Sequence, residues 1–249
     1  MNLADSTILI TGATRGVGRE LTGQLLGLGA HVAAVGRDHK QLTSLTDTYG
    51  DRVTPWAVDL ADPDAVDALV QQMPERHPTL SIVINNAAVQ TITDLFADDA
   101  DAMRPVLRRE IAINVDAVVA LCTGLLPHLR RQPSAAIVNV TTGLALAPKA
   151  SAPVYCATKA AVRTFTRTLR YQCQDTAPHM RVTDVILPMV DTDMTRGRGH
   201  GKITAAAAAT DIIAGIRRGS SEVYVGKARL LPALMRLAPA LAYRTLRRG

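Results

Sequence analysis

Thr7-Ile8-Leu9-Ile10-Thr11-Gly12-Ala13-Thr14-Arg15-Gly16-Val17-Gly18 carries the first sign of the fold. A short β-branched run passes into a loop holding three glycines, and a helical pattern begins at once. Glycines there permit a tight turn and let backbone approach a pyrophosphate. The helix N-terminus adds unpaired N–H groups and partial positive charge. A glycine-rich loop alone is equally an ordinary βα turn. Its position after the first strand of a βαβ unit is what points to a dinucleotide.

Outward from this loop the alternation continues. His31–Val35, Val53–Val58, Leu80–Asn85, Ala135–Thr141 and Arg181–Leu187 read as further strands, with Glu222–Val225 a short seventh. Helical stretches lie near 16–29, 38–49, 62–77, 100–131, 153–176 and 204–218. Such alternation implies parallel strands joined by right-handed crossovers, hence an α/β doubly wound sheet of about seven strands with ligands at the strands' carboxyl ends. Asp62 before Pro63 reads as a helix cap, and Pro178 marks the end of the helix that starts near Pro153. With 47% apolar and only 3% aromatic residues, the core is expected to be Ala, Val, Leu and Ile. That mixture suits parallel strands covered on both faces. The Gly- and Arg-rich run Arg196–Lys202 is expected to be mobile and solvated.

The 249 residues divide into one large domain, 1–226, and a basic amphipathic tail, 227–249. The net charge of +6 resides entirely in that tail, in Lys227, Arg229, Arg236, Arg244, Arg247 and Arg248. A neutral body with a basic appendage argues against a nucleic-acid partner. In the tail, Leu230, Leu234, Leu237 and Leu241 recur at helical spacing, and Leu231, Met235, Ala238 and Ala242 form the adjoining stripe. Pro232 suits a helix start and Pro239 an interruption. Peripheral membrane contact, packing on the chain itself or on a second copy, and disorder all remain open readings.

Cys122, Cys156 and Cys173 form neither a disulfide framework nor a zinc-ligand pair, so they read as reduced structural thiols of a cytoplasmic protein. No secretory segment is read at the N-terminus, and no uninterrupted apolar run reaches the roughly 18 residues of a membrane span. The six histidines are scattered without metal-ligand spacing and read as surface or loop residues; no metal is expected.

The second strand bears on which nicotinamide cofactor is used. An acid at its end would hold the ribose 2′-hydroxyl of NAD. Gly36 stands there instead, followed by Arg37, and Arg15 sits in the phosphate loop. Two arginines suit a 2′-phosphate, so NADP(H) is the expected cofactor. Asp38 is either that acid displaced by one residue or a cap for the next helix. Farther on, Tyr155 and Lys159 in Tyr155-Cys156-Ala157-Thr158-Lys159 are four apart and share a helix face. A neighbouring ammonium favours the phenolate, which suits a tyrosine to proton transfer near neutrality.

TGATRGVG at 11–18, Asn85-Asn86-Ala87-Ala88 after the fourth strand and YCATK at 155–159 together resemble the short-chain dehydrogenase/reductase family, over residues 6 to about 225. The resemblance implies a Rossmann fold and hydride transfer between NADP(H) and a carbonyl or alcohol substrate, with carbonyl reduction the favoured direction. It implies Tyr155 as general acid/base, Lys159 as its ribose-holding partner, and Asn114 as the residue positioning a water in the proton relay. Thr142 stands where the family has serine, and the alternation of the strand should turn Thr141 elsewhere. The cofactor set so implied is Gly12, Arg15, Gly16, Val17, Gly18, Arg37, Asp59, Leu60, Asn86, Ala87, Tyr155, Lys159, Pro188, Val190 and Thr192. Asp59 would contact the adenine, Asn86 and Ala87 the adenosine ribose, and Val190 and Thr192 the carboxamide.

Two further departures accompany Thr142. Ala88 replaces a glycine, and Pro188–Thr192 has lost a glycine and one residue of spacing. The family also implies a homo-oligomer, a dimer or tetramer. The competing reading is a redox-silent NADP(H)-binding sensor or regulator.

Overall fold

The computed structural model describes residues 1–247; Arg248, counted above in the basic tail, lies outside them. The strands are β1 (Thr7–Thr11), β2 (His31–Gly36), β3 (Val53–Ala57), β4 (Leu80–Asn85), β5 (Ala135–Thr142), β6 (Met180–Leu187), β7 (Val190–Asp191), β8 (Ile203–Thr204) and β9 (Glu222–Tyr224). Seven of them form one parallel sheet in the order β3-β2-β1-β4-β5-β6-β9. The order reverses between β1 and β4, which opens a crevice at their carboxyl ends. The two-residue pair β7 and β8 stands apart from this sheet and has no signal in the sequence.

The helices are α1 (Gly16–Gly27), α2 (His39–Tyr49), α3 (Pro63–Arg76), α4 (Ala100–Ile111), α5 (Ala117–Leu129), α6 (Pro153–Thr176), α7 (Ala205–Arg218), α8 (Leu231–Leu237) and α9 (Pro239–Leu246). Successive strand residues divide between the two sheet faces, as the period of two requires. Ile8 and Ile10 of β1 join Leu21 and Leu25 of α1 and Ile212 and Ile216 of α7. Leu9 between them joins Leu69 of α3, Leu121 of α5 and Val162 of α6. Each such Leu or Ile contributes roughly 1.5–3 kcal/mol through burial. Both faces of β1 are therefore covered, which is why its centre, Ile8-Leu9-Ile10, is apolar without alternation.

Several local signals act as read. Asp62 caps α3, accepting from Asp64 N at 3.0 Å and Ala65 N at 3.3 Å. The 100–131 stretch is one helical rod broken by a π turn at Ala112–Asp116. By length and composition that rod would cross a membrane, but here Leu121, Cys122 and Leu125 are buried against the sheet. His128 corrects the surface reading of the histidines. It is buried, with Nε2 3.1 Å from the Leu80 carbonyl, and burial lowers its pKa.

The tail breaks into α8 and α9 at Pro239. Leu231 and Ala242 bury against Ala147, with Leu234, Met235 and Leu246 alongside. Of the leucine stripe expected to act together, Leu230, Leu237 and Leu241 stay exposed. The adjoining stripe makes the contact because the chain turns at Ala238.

Candidate active site

A cavity of about 570 Å³ runs along the carboxyl end of the sheet. At one end lies the glycine loop. Gly12 and Gly16 have φ of +66° and +53°, which residues with a Cβ rarely adopt. A Cβ on Gly12 would come within 3.0 Å of Ala87 Cα, and one on Gly18 would collide with the Gly12 carbonyl. Gly18 therefore lets α1 pack on the loop and does not itself line the groove. Asn86 Nδ2 donates to the Thr11 carbonyl at 3.0 Å, and the Asn86 and Ala87 amides donate to Thr11 Oγ1 at 3.0 Å each. The ends of β1 and β4 are thus tied into one cradle. No side chain caps α1, and its first turn holds no acid. Its N–H groups face the cradle's rim, so the loop fits an anionic pyrophosphate.

The end of β2 resolves the choice left at Asp38. Its carboxylate accepts from Gln41 N at 3.2 Å and caps α2. Gly36 is buried beneath Thr14, whose Cγ2 would lie 2.9 Å from a Cβ there, so an acid at 36 would need Thr14 to move. Arg37 and Arg15 line the groove. Asp59 and Leu60 line it too, but both Asp59 oxygens accept from Arg109 of α4, at 2.9 and 2.7 Å. Burial raises the Asp59 pKa, but hydrogen bonds from Arg109 and the Ala61 amide outweigh it and hold the carboxyl below its ordinary value.

The chemical centre lies where β5 meets α6. Thr142, Tyr155 and Lys159 all line the cavity and are each less than a tenth exposed. Thr142 Oγ1 accepts from Leu144 N at 3.3 Å. Thr141 Oγ1 turns away, as the alternation predicts, and donates to buried Asp184 at 2.5 Å; Arg163 pairs with the same carboxylate. Lys159 Nζ donates to the Val140 carbonyl at 2.8 Å. Burial pulls its ammonium down to about 8, opposed by the Asp184 and Glu110 carboxylates.

The tyrosine departs from the sequence expectation. Burial pushes the Tyr155 phenol up, Cys156 and Glu110 push the same way, and the Arg198 charge alone among the named causes favours the phenolate. The spacing to Lys159 therefore does not make this tyrosine acidic, and desolvation of the phenolate dominates.

Asn114 stands in the π turn, outside the cavity lining. Its Oδ1 accepts from Val89 N at 2.9 Å, and its Nδ2 donates to the Val89 carbonyl at 2.9 Å and Thr158 Oγ1 at 3.2 Å. It braces the loop after β4 against α6. Pro188, Val190 and Thr192 form the opposite wall. Thr192 caps the turn Asp193–Thr195 and lies over Gly16, where a Cβ would come within 3.0 Å of its Cγ2.

Other residues of the site escape a reading of the sequence. Glu110, one turn before Asn114, is fully buried. One of its oxygens accepts from Thr91 N at 3.2 Å and the other has no partner among the described residues; burial raises its pKa. Its spacing from Asn114 was the available signal. Gln90, Lys149, Arg198 and Leu246 line the far end of the cavity, and nothing in their local sequence marks them. Arg198 and Lys202 also correct the expectation of a freely solvated Arg196–Lys202 run. Arg198 donates to Gln90 Oε1 at 2.8 Å and Lys202 to the Thr195 carbonyl at 2.7 Å.

The short chain dehydrogenase family model matches residues 6–202. The chain belongs to the short-chain dehydrogenases. An oxidoreductase of Bacillus subtilis named DltE is 35% identical over 229 residues, 90% of this chain and 89% of that one. A fatty acyl-CoA reductase of Acinetobacter baylyi is 29% identical over 78% of this chain and 65% of its own. A short chain dehydrogenase from Burkholderia cenocepacia, solved with NADP, superposes with a TM-score of 0.86 at 26% identity, covering 99% of each chain. A Burkholderia phymatum structure in complex with NAD has a TM-score of 0.85 at 22% identity and shows the shared fold. The chain is thus an oxidoreductase of this family, whose structures hold NADP or NAD.

Within the short-chain dehydrogenases, two departures of this chain have simple geometry. Ala88 has no positive φ, so its methyl brings no backbone strain. Met189, in the shortened Pro188–Thr192 run, packs so closely on Gly199, φ +63°, that a Cβ at 199 would collide with its sulfur.

Proposed function

We propose that this short-chain dehydrogenase is NADP(H)-dependent and interconverts a carbonyl and an alcohol, chiefly by carbonyl reduction. One observation carries the reading: Thr142, Tyr155 and Lys159 converge on a groove whose other end presents Arg37 beside a buried Gly36, with Asp38 and Asp59 already engaged. Gly12, Arg15, Gly16 and Val17 would hold the pyrophosphate. Arg15 and Arg37 would hold the 2′-phosphate, and Asp59, Leu60, Asn86 and Ala87 the adenosine. Pro188, Val190 and Thr192 would hold the carboxamide. Bound NADPH supplies the hydride.

The chain's own groups handle the oxygen and the proton. The Thr142 and Tyr155 hydroxyls hold the substrate oxygen, and Tyr155 donates its proton as that oxygen gains charge. Burial keeps the phenol protonated before the reaction, so the proton is in place. Lys159, with its pKa about 8, is mostly an ammonium at neutral pH and stands ready to resupply it. The Glu110 carboxylate, whose charge acts on Lys159, and Asn114, bonded to the neighbouring Thr158, are the polar groups that could continue the relay.

A redox-silent sensor would need neither Tyr155 nor Lys159 in place. The test is NADPH oxidation against a broad carbonyl panel, with NADH in parallel. Turnover with preference for NADPH supports the reading. Tight NADPH binding without turnover of any carbonyl overturns it in favour of a sensor.

The same reading extends to a homo-oligomer acting in the cytoplasm, where the three buried cysteines stay reduced. Exposed Leu230, Leu237, Leu241 and Tyr243 among Arg236, Arg244 and Arg247 support a contact surface on the tail, for a second copy or an anionic membrane. Light scattering and vesicle sedimentation of the chain with and without residues 228–249 test it.

A further inference from the structure

Lys149 is 7% exposed, yet no carboxylate pairs with it among the described residues. Most of this side chain is buried, and its ammonium is brought to the cavity with no carboxylate to offset its charge, a partly desolvated state that costs free energy. Here the backbone around Lys149 is fixed from two sides. Ala150 N donates to the Arg247 carbonyl at 3.0 Å and Thr93 N to the Ser151 carbonyl at 3.1 Å.

Lys149 and Arg198 both line the cavity that Tyr155 lines. One nitrogen of the Arg198 guanidinium donates to Gln90 Oε1 at 2.8 Å, which orients the fork; among the described residues no carboxylate meets the rest. The Arg198 charge acts on both Lys149 and Tyr155, which line the same cavity. The two acids that line the cavity are already paired, Asp59 with Arg109 and Asp193 with Arg196. Leu144, Met189, Met194 and Leu246 supply an apolar surround.

Resting on the carbonyl-reductase reading, we propose that Lys149 and Arg198 bind an anionic group, carboxylate or phosphate, carried on the substrate close to its reacting carbonyl. The apolar residues around them take the body of the substrate, and the anion compensates a charge that no described residue pairs. Charge-assisted hydrogen bonds, one from each cation, then orient the carbonyl toward Thr142 and Tyr155.

The test measures binding to the protein loaded with NADP⁺, which cannot reduce a carbonyl, so the readout does not depend on turnover. The probes are 4-carboxybenzaldehyde, 4-formylphenyl phosphate and the uncharged methyl 4-formylbenzoate, titrated by calorimetry. At least one anion should bind about ten-fold or more tightly than the ester, as expected for hydrogen bonds to a charged group. Which anion binds better separates a carboxylate from a phosphate substrate. Lys149→Met and Arg198→Gln should each reduce that preference, and Lys149→Arg should retain most of it, with NADP⁺ affinity unchanged throughout. Equal binding of anions and ester by the unmodified protein overturns the proposal, and that comparison needs no variant to fold. A parallel loss of NADP⁺ affinity in the variants also overturns it, because the cations would then serve the cofactor. Absent turnover with NADPH would sink the carbonyl-reductase reading while leaving the binding preference to be judged by itself.

Discussion

The two ends of the groove are built from different materials. The phosphate cradle of the cofactor end is built on backbone: Gly12 and Gly16 at positive φ, the uncapped start of α1 and the tie from Asn86 to the Thr11 carbonyl, with Arg15 and Arg37 beside it. The substrate end consists of side chains from segments far apart in the chain: Gln90, Lys149, Met189, Arg198 and Leu246. Backbone geometry requires particular residue types at particular spacings, so it leaves a motif. A cluster of side chains requires only that the fold bring them together, so it leaves none. Thr142, Tyr155 and Lys159 stand at the seam between the two.

After loss of the Tyr155 hydroxyl, the largest effect expected is at Thr142. Thr142→Val keeps the volume and removes the hydroxyl. Turnover should fall by roughly 10²–10³-fold, the usual cost of one donor to a developing oxyanion, with the unfolding midpoint nearly unchanged. Retained turnover would hand the substrate oxygen to Tyr155 alone. Next is Arg37→Ala at the cofactor end, which should weaken NADPH by about 1.5–3 kcal/mol and leave NADH almost untouched. Equal losses for both cofactors would show that Arg37 does not read the 2′ position. The smallest effect is at Thr141, adjacent to Thr142 but facing the other way. Thr141→Val removes one donor from buried Asp184, whose contact with Arg163 remains. Stability should drop by about 1 kcal/mol in urea unfolding, while the turnover rate holds. A loss of turnover at unchanged stability would reverse the roles of the two threonines.

The sheet was readable because its buried strands are rich in β-branched and apolar residues and many of the turns between elements carry a glycine, proline or cap. Asp62 and Pro63 announce the start of α3, and the stretch between Pro153 and Pro178 bounds α6. Most of the predicted site residues line one groove for the same reason: they lie at the carboxyl ends of strands. What stayed hidden depends on contacts distant in sequence. The Asp59–Arg109 pair joins residues 50 apart, and β7 and β8 pair over a glycine-rich run that reads as loop. The tail's buried stripe differs from the more regular leucine stripe because Ala238 and Pro239 turn the chain between α8 and α9. The high pKa of Tyr155 was hidden too. The spacing to Lys159 reports proximity and carries no measure of burial.

On the proposed reading, one groove binds NADPH at its glycine loop and carries out its chemistry at Tyr155. Tyr155→Phe separates the two roles, with NADPH affinity and carbonyl-dependent NADPH oxidation measured on the same preparation. Turnover should fall by about 10²–10⁴-fold, the range for a positioned general acid, with NADPH affinity within a few-fold. Turnover that survives the loss of the hydroxyl would remove Tyr155 from the chemistry.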